Sequence, residues 1–271
     1  MKGKVADLQW RTLVQSIRNS AQSSLKNCLA VADVSGSMGS FSYGSQDVNA
    51  SPQPIYPCIA LTLLLSELAV EPWHGSYFTF SSQSSLEYIS PALRLSDRAR
   101  NLSRAHWEMN TNFHRVFQLI LAKAQLSKLA PEDMVKTLFV FSDMQFDQAG
   151  GCNFGETQYT TIKREFDAAG YQIPEIIFWN LASRARGTPK PVKADQPGVS
   201  LLSGYSGSMM KYFLGREEDE DIVEVEVEVK DEAGDIVVKK VKTKTTKEYN
   251  PFETMMAVIS KPPFSGVVVV D

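Results

Sequence analysis

Six short apolar runs, separated by longer segments with helical spacing, constrain this chain more than any other feature. They fall at 28–32, 76–80, 86–89, 137–141, 175–179 and 199–202, and several are apolar without alternation, as strands covered on both faces are. Between them, 54–68 spaces Cys58, Leu61, Leu65 and Leu68 at helical intervals, with prolines confined to its start, where a missing N–H costs little. The segment 112–129 places Val116, Phe117, Ile120 and Leu121 on one stripe, and 5–23 carries Leu8, Trp10, Leu13, Val14 and Ile17 as an amphipathic helix expected to dock on the domain. Strands alternating with helices predict an α/β fold with a central, mostly parallel six-stranded sheet, one antiparallel edge strand and helices on both faces. The 271 residues suffice for one such domain, 1–271, with an elaboration, and a hydrophobic fraction of 43% fills its core.

The elaboration begins after Leu214, where the composition changes abruptly. An acidic run, "REEDED", leads into Val223, Val225, Val227 and Val229 alternating with Glu224, Glu226 and Glu228. A strict period of two marks a half-exposed strand. Beyond a turn-prone stretch containing Gly234, a second run sets Val237, Val241, Thr243 and Thr245 on one parity and Lys240, Lys242 and Lys244 on the other. A charged β-hairpin inserted at 217–248 is expected, with an acidic face meeting a basic one and each opposite-charge pair contributing roughly 0.2–1 kcal/mol. It is either a solvated decoration or a ribbon that binds a partner. A helix is expected after it, at 251–259.

Charge and cysteine usage exclude several functions. With 28 basic and 31 acidic residues the net charge is −3, so no global positive field draws in nucleic acid or an anionic membrane. Cys28, Cys58 and Cys152 are odd in number and lack the paired spacing of a zinc site or a redox dithiol. No leader-like segment opens the chain and no apolar run is long enough to cross a membrane. A soluble, intracellular, cytoplasmic protein is expected, with no membrane partner. The opening segment 1–10 is consistent with a cut point inside a longer protein.

The first strand runs directly into "DVSGSMG". Asp33, Ser35 and Ser37 form a D-x-S-x-S pattern that suits a small hard cation, since two hydroxyl oxygens can ligate while the carboxylate supplies charge directly or through water. The glycines let the loop bend so that these oxygens converge above the carboxyl end of the sheet, where open α/β folds place their ligands. Two further segments bring oxygens to the same edge: "NTNF" sets Thr111 at the start of a long helix, and "FVFSD" runs a strand into Ser142 and Asp143. Asp33 and Asp143 held close together would repel, and a divalent ion balances them. A hydroxyl-rich set with few bidentate carboxylates favours Mg²⁺, with Mn²⁺ or Ca²⁺ as substitutes.

D-x-S-x-S on the first loop, a threonine on the second and an aspartate on the third resemble the von Willebrand factor A fold, which is Rossmann-like, and its metal-ion-dependent adhesion site. The resemblance implies Ser35, Ser37 and Thr111 as hydroxyl ligands, with Asp33 and Asp143 acting largely through water. It also implies an open coordination position that accepts an acidic side chain from a protein partner. Beyond the site, "QW", "CLAVADVSGSM", "SELAVEPWHG", "NTNF", "FVFSDMQFDQA", "FWNL" and "GVSLLSGYS" are similar to an uncharacterised plant, fungal and viral family of unknown function related to the A domain of Ro/TROVE ribonucleoproteins. A mostly helical region usually precedes the A domain there and is expected to be missing here, with any activity lodged in it.

The functional expectation is a non-enzymatic, Mg²⁺-dependent interaction module with no catalytic residues. An RNA-associated, Ro-like role is the alternative, since "ASRARGTPKPVKA" offers Arg184, Arg186, Lys190 and Lys193, but no interleaved aromatics for base stacking. An Mg²⁺-dependent phosphoryl-transfer enzyme is a further one; its haloacid-dehalogenase-like form requires D-x-D where this chain has Asp33, Val34 and Ser35. No phosphate-binding glycine loop or serine nucleophile elbow is present. His106 and His114 are eight residues apart, not at the spacing of a helical zinc pair. Asp147 either supports Asp143 or caps a following helix, and Phe178 and Trp179 read as core.

Overall fold

The computed structural model describes residues 3–19, 25, 27–42, 53–79, 81, 83–105, 112–143, 159–182 and 198–204 in full, and the backbone of 2, 20, 156–158, 220–230 and 236–246. The chain divides into two compact units, Met1–Leu214 and Gly215–Asp271.

In the first unit the order is α1 (Lys2–Ser20), β1 (Cys28–Ala32), α2 (Ile55–Leu68), β2 (Ser76–Thr79), β3 (Leu86–Tyr88), α3 (Leu95–Ser103), α4 (Phe113–Leu126), β4 (Thr137–Ser142), α5 (Glu156–Ala168), β5 (Glu175–Asn180) and β6 (Val199–Ser203). The six strands form one sheet ordered β3-β2-β1-β4-β5-β6. All neighbours are parallel except β2 and β3, so the antiparallel strand lies at one edge. Alternate residues of each strand enter opposite layers. Cys28, Ala30, Ala32, Phe139, Phe141, Ile177 and Trp179 pack with residues of α1, α2 and α3. Leu29, Val31, Leu138, Val140, Ile176 and Phe178 pack with residues of α4 and α5. The inner strands are apolar without alternation because both faces are covered.

The elements depart from the sequence expectations in three places. First, α3 was not anticipated, and α5 was anticipated only as an unbounded helix following Asp147, because each buries only a short apolar stripe within a polar sequence: Ala99 and Leu102 in one, Ile162 and Phe166 in the other. Second, the helix expected over 112–129 stops at Leu126, where Lys128 adopts φ 48° and the Leu129 amide donates back to Ala124 O at 3.0 Å. Third, α1 does not dock through all five apolar residues of its expected stripe. Val14 and Ile17 are buried with Trp10 partly so, while Leu8 and Leu13 are 62% and 47% exposed. Positions 10, 14 and 17 share a helical face; 8 and 13 fall off it.

Docking of α1 is also polar. Trp10 Nε1 donates to Glu67 Oε1 on α2 at 2.6 Å, Arg18 donates to the Glu67 carbonyl at 2.8 Å, and the Leu95 amide at the start of α3 donates to Asp7 at 2.8 Å. Arg98 from α3 pairs with the same Glu67 carboxylate. With α1 and α3 covering it, α2 is buried around most of its circumference, which explains its nearly continuous apolar sequence.

In the second unit, β7 (Glu220–Lys230) and β8 (Ile236–Thr246) pair antiparallel. The register sets Glu224 opposite Lys242 and Glu226 opposite Lys240, with Val225 opposite Val241 between them; Glu228 faces Val238 and Val227 faces Lys239. Charge opposition therefore occurs at two successive same-parity positions rather than along the whole ladder. The turn at 231–235 and the helix expected at 251–259 lie outside the described residues.

Candidate metal centre

The strand order reverses between β1 and β4. From β1 the chain proceeds to β2 and β3 on one side, and β4, β5 and β6 then extend the sheet on the other. Neighbouring connections leave in opposite directions at such a point and open a crevice at the carboxyl ends of the strands. Asp33 follows β1 directly and Asp143 follows β4 directly. The Asp33 amide donates to Phe141 O at 3.0 Å, extending the β1–β4 ladder one step beyond its last pair, Ala32 and Phe141.

The loop after Asp33 is anchored by its apolar residues. Val34 and Met38 are buried, whereas Ser35 is half-buried and Ser37 exposed, so the hydroxyls face outward from a loop pinned underneath. A single 3-10 turn, Gly36–Met38, brings Ser35 Oγ and Ser37 Oγ to 2.9 Å from each other. Gly39 follows at φ 98°, in the left-handed region, and a side chain there would collide with Gln53. Gln53 Oε1 in turn accepts the Ser40 amide at 2.9 Å and ties the loop to the start of α2.

Both oxygens of the Asp33 carboxylate are oriented. Oδ1 accepts the Ser35 amide at 2.9 Å and Oδ2 accepts the Ser142 hydroxyl at 2.7 Å. Asp33 is 4% exposed and Asp143 1%. Burial raises the Asp33 pKa above the ordinary 3.8; the bonds from Ser142 and Ser35 work against that rise, and the charge of Asp143 adds to it. None of the ion pairs among the described residues involves Asp33. Two buried carboxylates near each other with no basic partner on Asp33 make a site that a divalent cation fits. The Ser35 and Ser37 hydroxyls are hydrogen-bonded to each other at 2.9 Å, an ordinary O–H···O distance, and each keeps a lone pair that could be offered to a cation. Among the described residues no three His, Cys, Asp or Glu side chains come together.

Asp33, Ser35 and Ser37 thus share one loop, and Asp143 stands one residue past Ser142, which bonds to Asp33. Thr111 lies outside the described residues. Its neighbour Asn112 caps α4 by accepting the Arg115 amide at 3.0 Å, and the Asn112 amide donates to Ser81 O at 3.3 Å, just beyond the carboxyl end of β2. His106, Asp147 and the basic residues 184, 186, 190 and 193 also lie outside the described set. His114 faces Glu165 across α4 and α5, with Nε2 3.5 Å from Oε1. Phe178 and Trp179 are buried on opposite faces of β5.

Three residues around the crevice escaped the sequence reading in their roles. Ser142 orients Asp33; its signal was a lone hydroxyl ending an apolar strand. Asn180 ends β5 and accepts the Ala182 amide at 2.9 Å, while the Leu181 amide donates to Ser142 O at 2.9 Å. Cys58 was visible only as one apolar position of α2, yet its thiol donates to Asp33 O at 3.3 Å. Burial, with the nearby Asp33 charge, pushes this thiol far above its ordinary value and keeps it a donor.

Comparison with known proteins places this chain in a family. The uncharacterized protein L728 of Acanthamoeba polyphaga mimivirus is 32% identical over 215 residues, covering 79% of this chain and 35% of that protein. The chain therefore spans about a third of the length of this curated relative. The crystal structure of the Ro (RSR) protein of Deinococcus radiodurans is similar at a TM-score of 0.45 and 20% identity, over 71% of this chain and 35% of that one. No helix among the described residues is long and apolar enough to cross a membrane. Residues 27–269, nearly the whole chain, match the family described as a domain of unknown function (DUF7788), and the chain belongs to that family.

Proposed function

We propose that this chain is a non-enzymatic, Mg²⁺-dependent protein-interaction module with a von Willebrand factor A architecture, whose metal site takes an acidic residue from a partner. The observation that carries the reading is that Asp33, at the topological switch point, is buried within the electrostatic reach of Asp143 and has no basic partner, on the loop that also carries the Ser35 and Ser37 hydroxyls. Ser35, Ser37 and Thr111 would hold the ion directly, and Asp33 and Asp143 through coordinated water. When bound, the ion supplies a Lewis-acidic position open to a carboxylate oxygen.

The chain's own residues do the remaining work. Ser142 and the Ser35 amide hold the Asp33 carboxylate in one orientation. Val34 and Met38 fix the loop, and Ser37 is exposed to solvent. A binding role is favoured over turnover because the second aspartate of a D-x-D nucleophile and acid/base pair is replaced by Ser35.

The test is affinity capture from lysate with Mg²⁺ or with chelator, using the intact chain and Asp33→Ala. A protein retained by the intact chain, released by chelator and missed by Asp33→Ala is the expected result. Capture that depends on nuclease-sensitive material would instead support an RNA-associated role. Mg²⁺-dependent hydrolysis of phosphatase or nucleotidase substrates that disappears in Asp33→Asn would overturn the non-enzymatic reading.

A further inference from the structure

The first turns of α2 carry a side chain that reaches the floor of the crevice. Cys58 is fully buried, and its thiol lies 3.3 Å from Asp33 O and 3.8 Å from Phe141 O. Those carbonyls lie at the carboxyl ends of the paired strands β1 and β4, and Phe141 O already accepts the Asp33 amide at 3.0 Å. Asp33 O sits one residue past the last β1–β4 pair, where the regular ladder has ended. A buried carbonyl there needs a donor from elsewhere, and the thiol provides one. Cys58 is itself fixed by its amide, which donates to Pro54 O at 3.1 Å in the first turn of the helix.

From this geometry we infer that Cys58 is a positioning residue for the metal centre: its thiol ties the α2 N-terminal turn to the backbone of Asp33 and Phe141 and so sets where the Asp33 carboxylate stands. The inference rests on the metal reading above. A small hydrophobe would fill the same volume, but only a donor satisfies Asp33 O, with Phe141 O as the more distant second acceptor of the one S–H. Serine retains donation; alanine removes it. Groups that orient a ligand without touching the metal typically change affinity by about 10–100-fold when lost, and a bond from a weak thiol donor belongs at the lower end of that range.

Two readouts on the full chain separate the possibilities. Titration calorimetry with MgCl₂ on the wild type, Cys58→Ala and Cys58→Ser is carried out well below each variant's melting temperature. The expected result is about 10-fold weaker binding in Cys58→Ala and near wild-type affinity in Cys58→Ser, a split that a merely space-filling role would not produce. Amide hydrogen exchange without metal forms the second arm: the Asp33 and Ser35 amides should lose protection in Cys58→Ala, while the amides of Leu138 and Val140 in β4 do not. Equal Mg²⁺ affinity in wild type and Cys58→Ala, or equal losses in both variants, overturns the inference. A wild type that binds no Mg²⁺ overturns the metal reading instead. In that case unchanged exchange at Asp33 overturns the positioning of Asp33 by Cys58, and selective loss upholds it.

Discussion

Glu67 on α2 and Asp33 beyond β1 are both carboxylates withdrawn from water, with opposite surroundings. Glu67 is met by the Arg98 guanidinium from α3 and by Trp10 Nε1 from α1, so its charge is neutralised by a group held 6% exposed. Asp33 has hydrogen-bond donors, Ser142 and the Ser35 amide, but its nearest charged influence is another carboxylate, Asp143. A buried ion pair complete within the protein serves to join elements, here three helices. A buried acid without a cation raises the energy of the folded state unless it is protonated or a cation arrives. The difference separates a charge neutralised within the protein from one that, on the proposed reading, a metal ion would balance.

The comparison breaks most visibly at the helix junction. Arg98→Met leaves Glu67 buried without its partner, and a loss of about 3–5 kcal/mol is expected, which for a unit of this size lowers the melting temperature by roughly 10 °C. Chemical denaturation measures it, and the double variant Glu67→Met with Arg98→Met should recover much of the loss. A negligible effect of Arg98→Met would mean that solvent reaches Glu67 and that the two carboxylates are not a contrasting pair.

Asp33→Asn should act in the opposite sense. Mg²⁺ affinity is expected to fall by about 100-fold or more, the upper range for groups that orient or supply ligands, while the metal-free melting temperature holds or rises. The pH dependence sharpens this. Because the folded-state pKa of Asp33 lies above 3.8, its contribution to metal-free stability is fully present below 3.8 and is lost as pH rises through the folded value. The melting temperature of the metal-free wild type should therefore fall relative to Asp33→Asn across that window, and Mg²⁺ should reverse the gap at higher pH. A gap that narrows with rising pH would contradict the assignment.

Smaller effects are expected at the serines. Ser35→Ala should weaken Mg²⁺ binding by about 10-fold, with the double variant Ser35→Ala, Ser37→Ala abolishing it, yet stability should change by no more than about 0.5 kcal/mol because neither side chain contributes to the core. Undiminished affinity in the double variant would move the site elsewhere. The smallest effect is expected from replacing 217–248 with a short Gly/Ser linker. The described core clusters lie wholly in the first unit, so the melting temperature and Mg²⁺ binding should be nearly unchanged, as scanning calorimetry and titration would show.

Much of the sheet was legible in the sequence because burial on both faces removes polar residues from a strand, leaving unbroken runs such as 28–32 and 137–141 that stand out locally. Neither the helix α3 nor the bounds of α5 were legible: two buried apolar residues apiece do not rise above a polar background. Around the candidate site, the grouping of Asp33, Ser35 and Ser37 on one loop was readable since their spacing lies within five residues. The bond from Ser142 to Asp33, 109 positions apart, had no local trace.

The sequence by itself determined the six strands of the sheet, the helices α1, α2 and α4 and the loop that carries Asp33, Ser35 and Ser37, because backbone pattern and residue type act over a few residues. Tertiary structure alone decided that β1 lies beside β4, that the ladder ends where Cys58 can reach Asp33 O, that Glu67 meets Arg98 and Trp10, and that only part of α1 is covered. Those contacts join residues from 25 to 109 positions apart, and whether two distant groups meet, and so whether a buried charge finds its counter-charge, depends on how packed layers align rather than on any local preference.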